Sequence, residues 1–447
     1  MNLLTIAWKS LRLRALSSAL TAFSVALGVM LMVAVLVINS IVGDTFSQRN
    51  VGASLVVGPQ GSDLAMVLSA IYRVGRPGEP LPYLFYRDVL LGKDQEWSNW
   101  IEYAIPMTMG DVTEQGSFPI VGTTPQYFGV EYGPGRKYAL KGELLYQPFE
   151  AVIGSRVARE NNWDVGSELK LVHGGADSDH VHDETFKVTG VLAPTGTAND
   201  RTVFVNIEGF YLIAGHEKPP HEAIDRLRTF GFDISPAREK AILAEASHEG
   251  HDHAAHAGHN HGIPDELKEV SFILLRTKNA AQSIMLSSKL NEGVVAQAVN
   301  PIFPMNALMR DFVGPVRTLL LFLTGLIVIV AGVGIFVSIY NSMADRKREI
   351  AIMRALGAQR TTVFSIILGE AILLCVGGGL LGLLMGHGMV FVAAPIAESQ
   401  AGLLINPLRF ESLEFVIFPV LVVMSGLIGI LPGLTAYRTD VAQSLTD

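Results

Sequence analysis

The stretch TLLLFLTGLIVIVAGVGIFVSIYNSMA, Thr318 to Ala344, followed at once by DRKREIAIMRALGAQR, Asp345 to Arg360, decides how this chain is read. The first part carries no charged side chain. A helix needs about 20 apolar residues to cross a bilayer, so this run is long enough. The second part restores charge abruptly, with Arg346, Lys347, Arg348, Arg354 and Arg360. Working outward, Ala15 to Val42 and Phe415 to Tyr437 are also uncharged, and Thr361 to Pro395 holds only Glu370 and His387. Across the 447 residues only 17% are charged, against roughly 25% in a soluble domain. The deficit sits in these four runs, which excludes a purely soluble enzyme.

The first run spans 28 residues, whereas a signal-peptide core has about 7–15, so it reads as a retained helix. Positive charge near the ends of spans marks the cytoplasmic side. Lys9, Arg12 and Arg14 precede the first span, five cations follow the second, and Arg438 follows the fourth. The connection between the third and fourth has Arg409 beside Glu398, Glu411 and Glu414. The expected fold is therefore a membrane protein of α+β type, with four transmembrane helices and a large extracytoplasmic domain inserted between the first two. In numbers, 1–14 is a cytoplasmic N-terminus; 15–42, 313–343, 361–395 and 413–437 are spans. Residues 43–312 form the outside domain, 344–360 a cytoplasmic coupling helix, 396–412 an outer loop and 438–447 a cytoplasmic tail. The surroundings are a lipid membrane, and the net charge of −8 argues against a nucleic-acid partner.

Within 43–312, β-branched runs predict strands at 55–57, 118–121, 151–153, 168–172, 186–191, 202–205, 272–275 and 294–299. Helical spacing marks 63–72, 82–91, 156–161 and 236–246. Eleven of the twelve histidines fall in this domain. Six lie in one tract: His248, His251, His253, His256, His259 and His261, interleaved with Gly, Ala, Asp and Asn. Such a tract cannot build a core. Neutral imidazole suits zinc, copper and nickel, so the tract reads as a weak multi-site metal binder or as an inert solvated linker. A second group is more compact. His173 ends the predicted strand 168–172, while His180, His182 and Asp183 precede 186–191. A hairpin of these strands would gather three imidazoles and a carboxylate, the donor set of a tetrahedral Zn²⁺ site; the alternative is a polar loop whose histidines face water. There is no HExxH, GxxxxGK[ST] or GxSxG motif, so zinc-protease, P-loop and hydrolase readings lack support.

Inside the spans, Glu370 is an intramembrane acid and hence a candidate functional residue. It also reads as an acid snorkelling from near the cytoplasmic end. Gly378, Gly382 and Gly386 repeat every fourth residue, leaving a groove that lets another helix approach closely. In 345–356 an apolar stripe of Ile350, Met353 and Leu356 is bordered by Arg346, Lys347, Glu349 and Arg354, and Gly357 suits a helix C-terminus. This amphipathic helix fits either a membrane surface or a groove on a soluble partner.

The run Glu349-Ile350-Ala351-Ile352-Met353-Arg354-Ala355-Leu356-Gly357-Ala358 resembles the cytoplasmic signature of MacB/FtsX/LolC-type ABC transporter permeases. Glu370 with the glycines from Gly377 to Gly386, Pro432 and the Ala436-Tyr437-Arg438 ending are similar to that family, as is the order of one span, a large domain and three spans. The segments 55–62 (LVVGPQGS) and Val121-Gly122-Thr123-Thr124 resemble a sub-branch with histidine-bearing ectodomains. The resemblance implies a permease that is not itself an enzyme. ATP and Mg²⁺ would be held by a separate ATP-binding subunit docking on Arg346, Glu349, Met353, Arg354, Leu356 and Gly357. It also implies a second permease copy, identical or related, and movement of outside domains to export or release a cargo, with Zn²⁺ handling as one role. The other readings are an FtsX-like regulator that activates an extracytoplasmic partner and a metal-binding membrane receptor without an ATPase. A bacterial inner-membrane location follows from the resemblance.

Overall fold

The computed structural model describes residues 3–46, 52–173, 181–213, 216, 218–248, 263–293, 295–345, 352–355, 357–401, 406 and 408–438. They form two compact units, one of Thr45–Leu308 and one of Met1–Asp44 with Met309–Asp447.

Among the described residues, three helices are long and apolar enough to cross a membrane: Ala15–Asp44, Ile302–Asn341, whose first residues belong to the Thr45–Leu308 unit, and Arg360–Ile396. The fourth expected span is helical over Glu414–Arg438, and its stretch Glu414–Ile430 is a shorter apolar helix. The N-terminal segment, expected as a tail, is itself a helix, Leu3–Leu13. Ala7 is fully buried while Trp8 and Leu13 are exposed; a Cβ added at Gly369 would lie 3.6 Å from the Ala7 Cβ.

Val25, Val29, Val33 and Val37 recur every fourth residue on the first span and are buried together. They fill the groove of Gly378, Gly382 and Gly386. A Cβ added at Gly378 would meet the Ala22 carbonyl oxygen at 2.7 Å, one at Gly382 the Ala26 carbonyl oxygen at 2.5 Å, and one at Gly386 the Val33 Cβ at 2.8 Å. The helix that the groove admits is the chain's own first span. Glu370 is buried on the same helix, at 5% exposure. By contrast, Leu319, Phe322, Leu323, Val330 and Val333 of the helix Gly314–Asp345 are exposed, as a lipid-facing surface requires.

The Thr45–Leu308 unit mixes strands and helices. Six strands pair in a closed cycle: Ile101–Thr113, Pro119–Thr123, Val203–Asn206, Glu150–Ile153, Val181–Leu192 and Glu168–Val172, the last returning to Ile101–Thr113. Alternation in strands sends every second side chain inward. Ile120, Ala151, Ile153, Leu169, Leu171, Phe186, Val188, Val203 and Val205 accordingly share one core, while Val121, Val152 and Phe204 face another. The long strand Ile101–Thr113 leaves the cycle at its other end to pair with Phe272–Thr277, which continues to Leu55–Pro59 and Ala296–Val299. This extension is covered on one face by the helix Asp63–Tyr72, through Met66, Val67 and Ala70. On the other it is covered by Ala280–Asn291, through Leu286 and Leu290.

Most predicted elements have counterparts, including the helix Asp63–Tyr72 with its Ser62 cap, whose side chain accepts from the Ala65 N–H at 3.3 Å. Two differ. The helix expected over 82–91 is present from Tyr83 to Leu90, but it widens to π-type winding over Phe85–Leu90 and follows a two-residue strand, Leu81–Pro82. Phe85 and Leu90 of this helix are buried. The strand Ile101–Thr113 was not expected, because Pro106 and Gly110 interrupt it. Pro106 lies opposite Ile273 and its carbonyl accepts from the Thr123 hydroxyl at 3.0 Å; proline is normally kept to sheet edges because it has no N–H to give the ladder.

Candidate metal centre

The expected hairpin forms: Glu168–Val172 runs antiparallel to Val181–Leu192, with Val181 opposite Val172 and Phe186 opposite Leu169. Between Val181 and Thr185 the register slips, and between Met109 and Val112 of the neighbouring strand it slips again, at Gly110 with φ +153°. Val172 pairs with both Val181 and Val112, so the two irregularities lie side by side at one end of the closed cycle. Bulges re-aim side chains; here they put His182 and Asp111 into the interior, at 3% and 4% exposure.

Four residues converge: Asp111, His173, His182 and His216, each offering one ligand atom, all within 4.8 Å of one another. His173 Nδ1 is 3.3 Å from His216 Nε2 and 3.4 Å from Asp111 Oδ1. His216 Nε2 is 2.8 Å and His182 Nε2 3.8 Å from Asp111 Oδ2. Metal–ligand bonds of about 2.0–2.1 Å in a tetrahedron place donor atoms about 3.4 Å apart, in the middle of these separations.

The protonation pattern suits a cation. His216 Nδ1 lies 2.9 Å from the Phe210 carbonyl oxygen, which can only accept, so Nδ1 carries the proton. In the neutral ring Nε2 then presents a lone pair toward the centre. A backbone carbonyl on the far nitrogen is the usual second partner of a metal-binding imidazole. Asp111 Oδ2 is buried and accepts no hydrogen bond of normal geometry among the described residues, an expensive state for a carboxylate without a cation. Burial first, and the neighbouring His216 second, hold the His182 imidazole below its ordinary range, favouring the neutral, ligating form. Three imidazoles and one carboxylate suit Zn²⁺ and neighbouring transition metals, whereas Ca²⁺ and Mg²⁺ prefer all-oxygen shells.

Of the residues expected here, His173 and His182 join the cluster. Asp183 is exposed on the strand position after the inward His182, and lies outside it. His180 falls outside the described residues, as do His251, His253, His256, His259 and His261. His248 ends the helix Pro236–His248. Asp111 and His216 were missed. Asp111 sits on the unexpected strand; His216 follows Ile207–Tyr211, the short helix that brings Phe210 against its ring at 4.3 Å. A lone Asp and a lone His, far from the hairpin in sequence, carry no spacing signal.

In the coupling segment, Ile352 to Ala355 are helical. The Gly357 N–H donates to the Arg354 carbonyl and the Ala358 N–H to the Met353 carbonyl, both at 3.0 Å, with Gly357 at φ +101°: a left-handed helix end. Met353 is partly buried against the helical core of its own chain, and Ile352 is exposed, at 46%. Arg346, Glu349 and Leu356 fall outside the described residues.

Apolar membrane-length helices in one unit and a strand-rich unit inserted after the first of them define a multi-pass membrane protein with a large inserted domain. A family model described as MacB-like periplasmic core domain matches residues 18–240, and one described as FtsX-like permease C-terminal matches 321–441. The chain belongs to the FtsX/MacB-type ABC transporter permease family, whose setting is the bacterial inner membrane. Among its relatives is a macrolide export ATP-binding/permease protein MacB of Rhodopirellula baltica, 23% identical over 423 residues, covering 86% of this chain and 54% of that protein. Proteins of the same description from Burkholderia cenocepacia, 32% identical over 138 residues (30% of this chain and 19% of that protein), and Photorhabdus laumondii, 34% over 132 (29% and 20%), match shorter stretches. The chain spans about half the length of the first of these relatives.

Proposed function

We propose that this chain is the permease subunit of an ABC transporter complex, works as a dimer with separate ATP-binding subunits, and handles Zn²⁺ through its inserted domain on the outer face of the membrane. Four spans, the fourth over 413–437, anchor it. The ATP-binding subunit docks on the segment 344–360 from the cytoplasm, and hydrolysis moves the first two spans and the domain between them. The family match supports the permease role, and the chain has no P-loop motif of its own. The observation that carries the zinc reading is the buried Asp111–His216 contact completed by His173 and His182. Bound there, the ion supplies positive charge between a carboxylate and imidazole lone pairs that otherwise face each other. The histidine tract 248–261 would add weak metal-binding capacity to the same domain.

Two measurements test the proposal. Co-expression with the ABC ATP-binding subunit should give co-purification that Arg354→Glu reduces; co-purification unchanged by that charge reversal argues against docking at this segment. Zinc analysis of the purified full chain, with the six tract histidines replaced by Ser, should find one Zn²⁺ per chain, and none after His216→Gln. An ATP-independent receptor would show zinc without the ATPase, and an FtsX-like regulator the ATPase without zinc.

A further inference from the structure

We infer that His173 is the exchange ligand of the centre, and that Asp111, His182 and His216 form a preset three-point seat on which a Zn²⁺-class ion is held for transfer. This rests on the zinc reading above and adds how the ion comes and goes.

The four side chains are unequal. Those of Asp111, His182 and His216 are 3%, 3% and 2% exposed, whereas that of His173 is 51% exposed. The backbone repeats the contrast. Asp111 and His182 sit in bulges within their strands, each with paired residues on both sides: Met109 and Val112 around Asp111, Val181 and Thr185 around His182. The His216 ring is fixed by the Phe210 carbonyl and by packing on the Phe210 ring. His173 is the first residue beyond the strand Glu168–Val172, so among the described residues it has a paired neighbour, Val172, on one side only.

A metal leaves a four-ligand site by losing one bond and admitting water or an incoming donor in its place. Three fixed ligands plus one exchangeable position is the arrangement of open zinc sites; a purely structural site keeps all four ligands closed. The exposed imidazole can rotate away without disturbing the core, and the buried three cannot. The ion therefore passes by His173, and an acceptor bearing imidazoles takes it by ligand exchange at that position.

The test uses the full chain in detergent, with His248, His251, His253, His256, His259 and His261 replaced by Ser so that the tract does not contribute. One equivalent of Zn²⁺ is loaded, with Mg²⁺ as a non-competing control, and transfer to excess colorimetric chelator is timed. His173→Ala should still bind one Zn²⁺ but release it roughly tenfold faster or more, since ligand changes act mainly on dissociation. His216→Gln and Asp111→Asn should fail to hold a stoichiometric ion. Unfolding temperature confirms that each variant folds, and His173, being exposed, is the substitution least able to perturb the core. If His173→Ala releases at the parent rate, or loses stoichiometric binding as completely as the buried variants, the exchange role is overturned while the zinc site stands. If the parent chain binds no Zn²⁺, the zinc reading itself fails.

Discussion

His216 Nε2 stands 2.8 Å from Asp111 Oδ2 while its other ring nitrogen faces the Phe210 carbonyl. A buried lone pair and a buried carboxylate at that distance repel unless a proton or a metal ion lies between them. Replacing Asp111 by Asn removes the charge and offers an amide donor to the imidazole. Without metal, Asp111→Asn should therefore unfold at the same temperature as the parent or higher. Zinc at a hundred times its Kd should stabilise the parent by about 2.7 kcal/mol and leave this variant unchanged. Thermal scans with and without zinc check both parts, and a zinc-dependent rise in the variant would sink the assignment of Asp111 as a ligand.

Arg238 and Glu266 hold the two sides of the histidine tract together, with Nε–Oε1 at 2.8 Å and Nη2–Oε2 at 2.9 Å. The Arg238 hydrogen bonds keep the Glu266 carboxyl below its ordinary 4.5. A carboxylate with a depressed folded-state pKa stabilises the protein above its unfolded value, and that contribution is lost as pH falls through the folded value. Glu266→Gln should cost under about 1 kcal/mol at pH 7, since Arg238 is 41% exposed and solvent weakens such pairs. The difference from the parent should shrink as pH drops below 4.5. Melting temperatures of both proteins between pH 7 and 4 measure it; a gap that widens on acidification contradicts the sign.

The glycine groove makes a sharp contrast available on one helix. A methyl group at Gly382 collides with the Ala26 carbonyl, whereas at Gly388 nothing lies within 4 Å. Gly382→Ala should destabilise the helical unit by about 1–3 kcal/mol, the usual cost of overpacking, while Gly388→Ala should be neutral or slightly stabilising. Thermal aggregation in detergent separates them, and equal behaviour would show that the first span does not pack there.

Gly357, at φ +101°, adopts backbone that other residues take only with strain. Gly357→Val should strain this helix end by about 1–2 kcal/mol and lower ATPase co-purification without altering zinc content. Loss of zinc in the same variant would mean a general folding defect.

Much of the architecture was legible because it rests on local pattern. Chargeless runs, basic flanks and strand alternation are visible in the chain itself, and even the hairpin beneath His173 and His182 follows from two β-branched runs. Half of the metal cluster was not. Asp111 sits in a strand broken by Pro106 and Gly110, and His216 reaches the site only because a short helix carries Phe210 across the end of the strand cycle. Asp183, which spacing favoured, is turned outward by the strand's alternation.

The sequence by itself determined the membrane-spanning character, the inserted domain and the concentration of histidine in that domain, since hydropathy and composition act residue by residue. Tertiary structure alone decided which histidines meet a carboxylate and which helix fills the glycine groove. Both depend on elements distant in the chain, on strand bulges that re-aim Asp111 and His182, and on a valine stripe that enters a groove no wider than glycine allows.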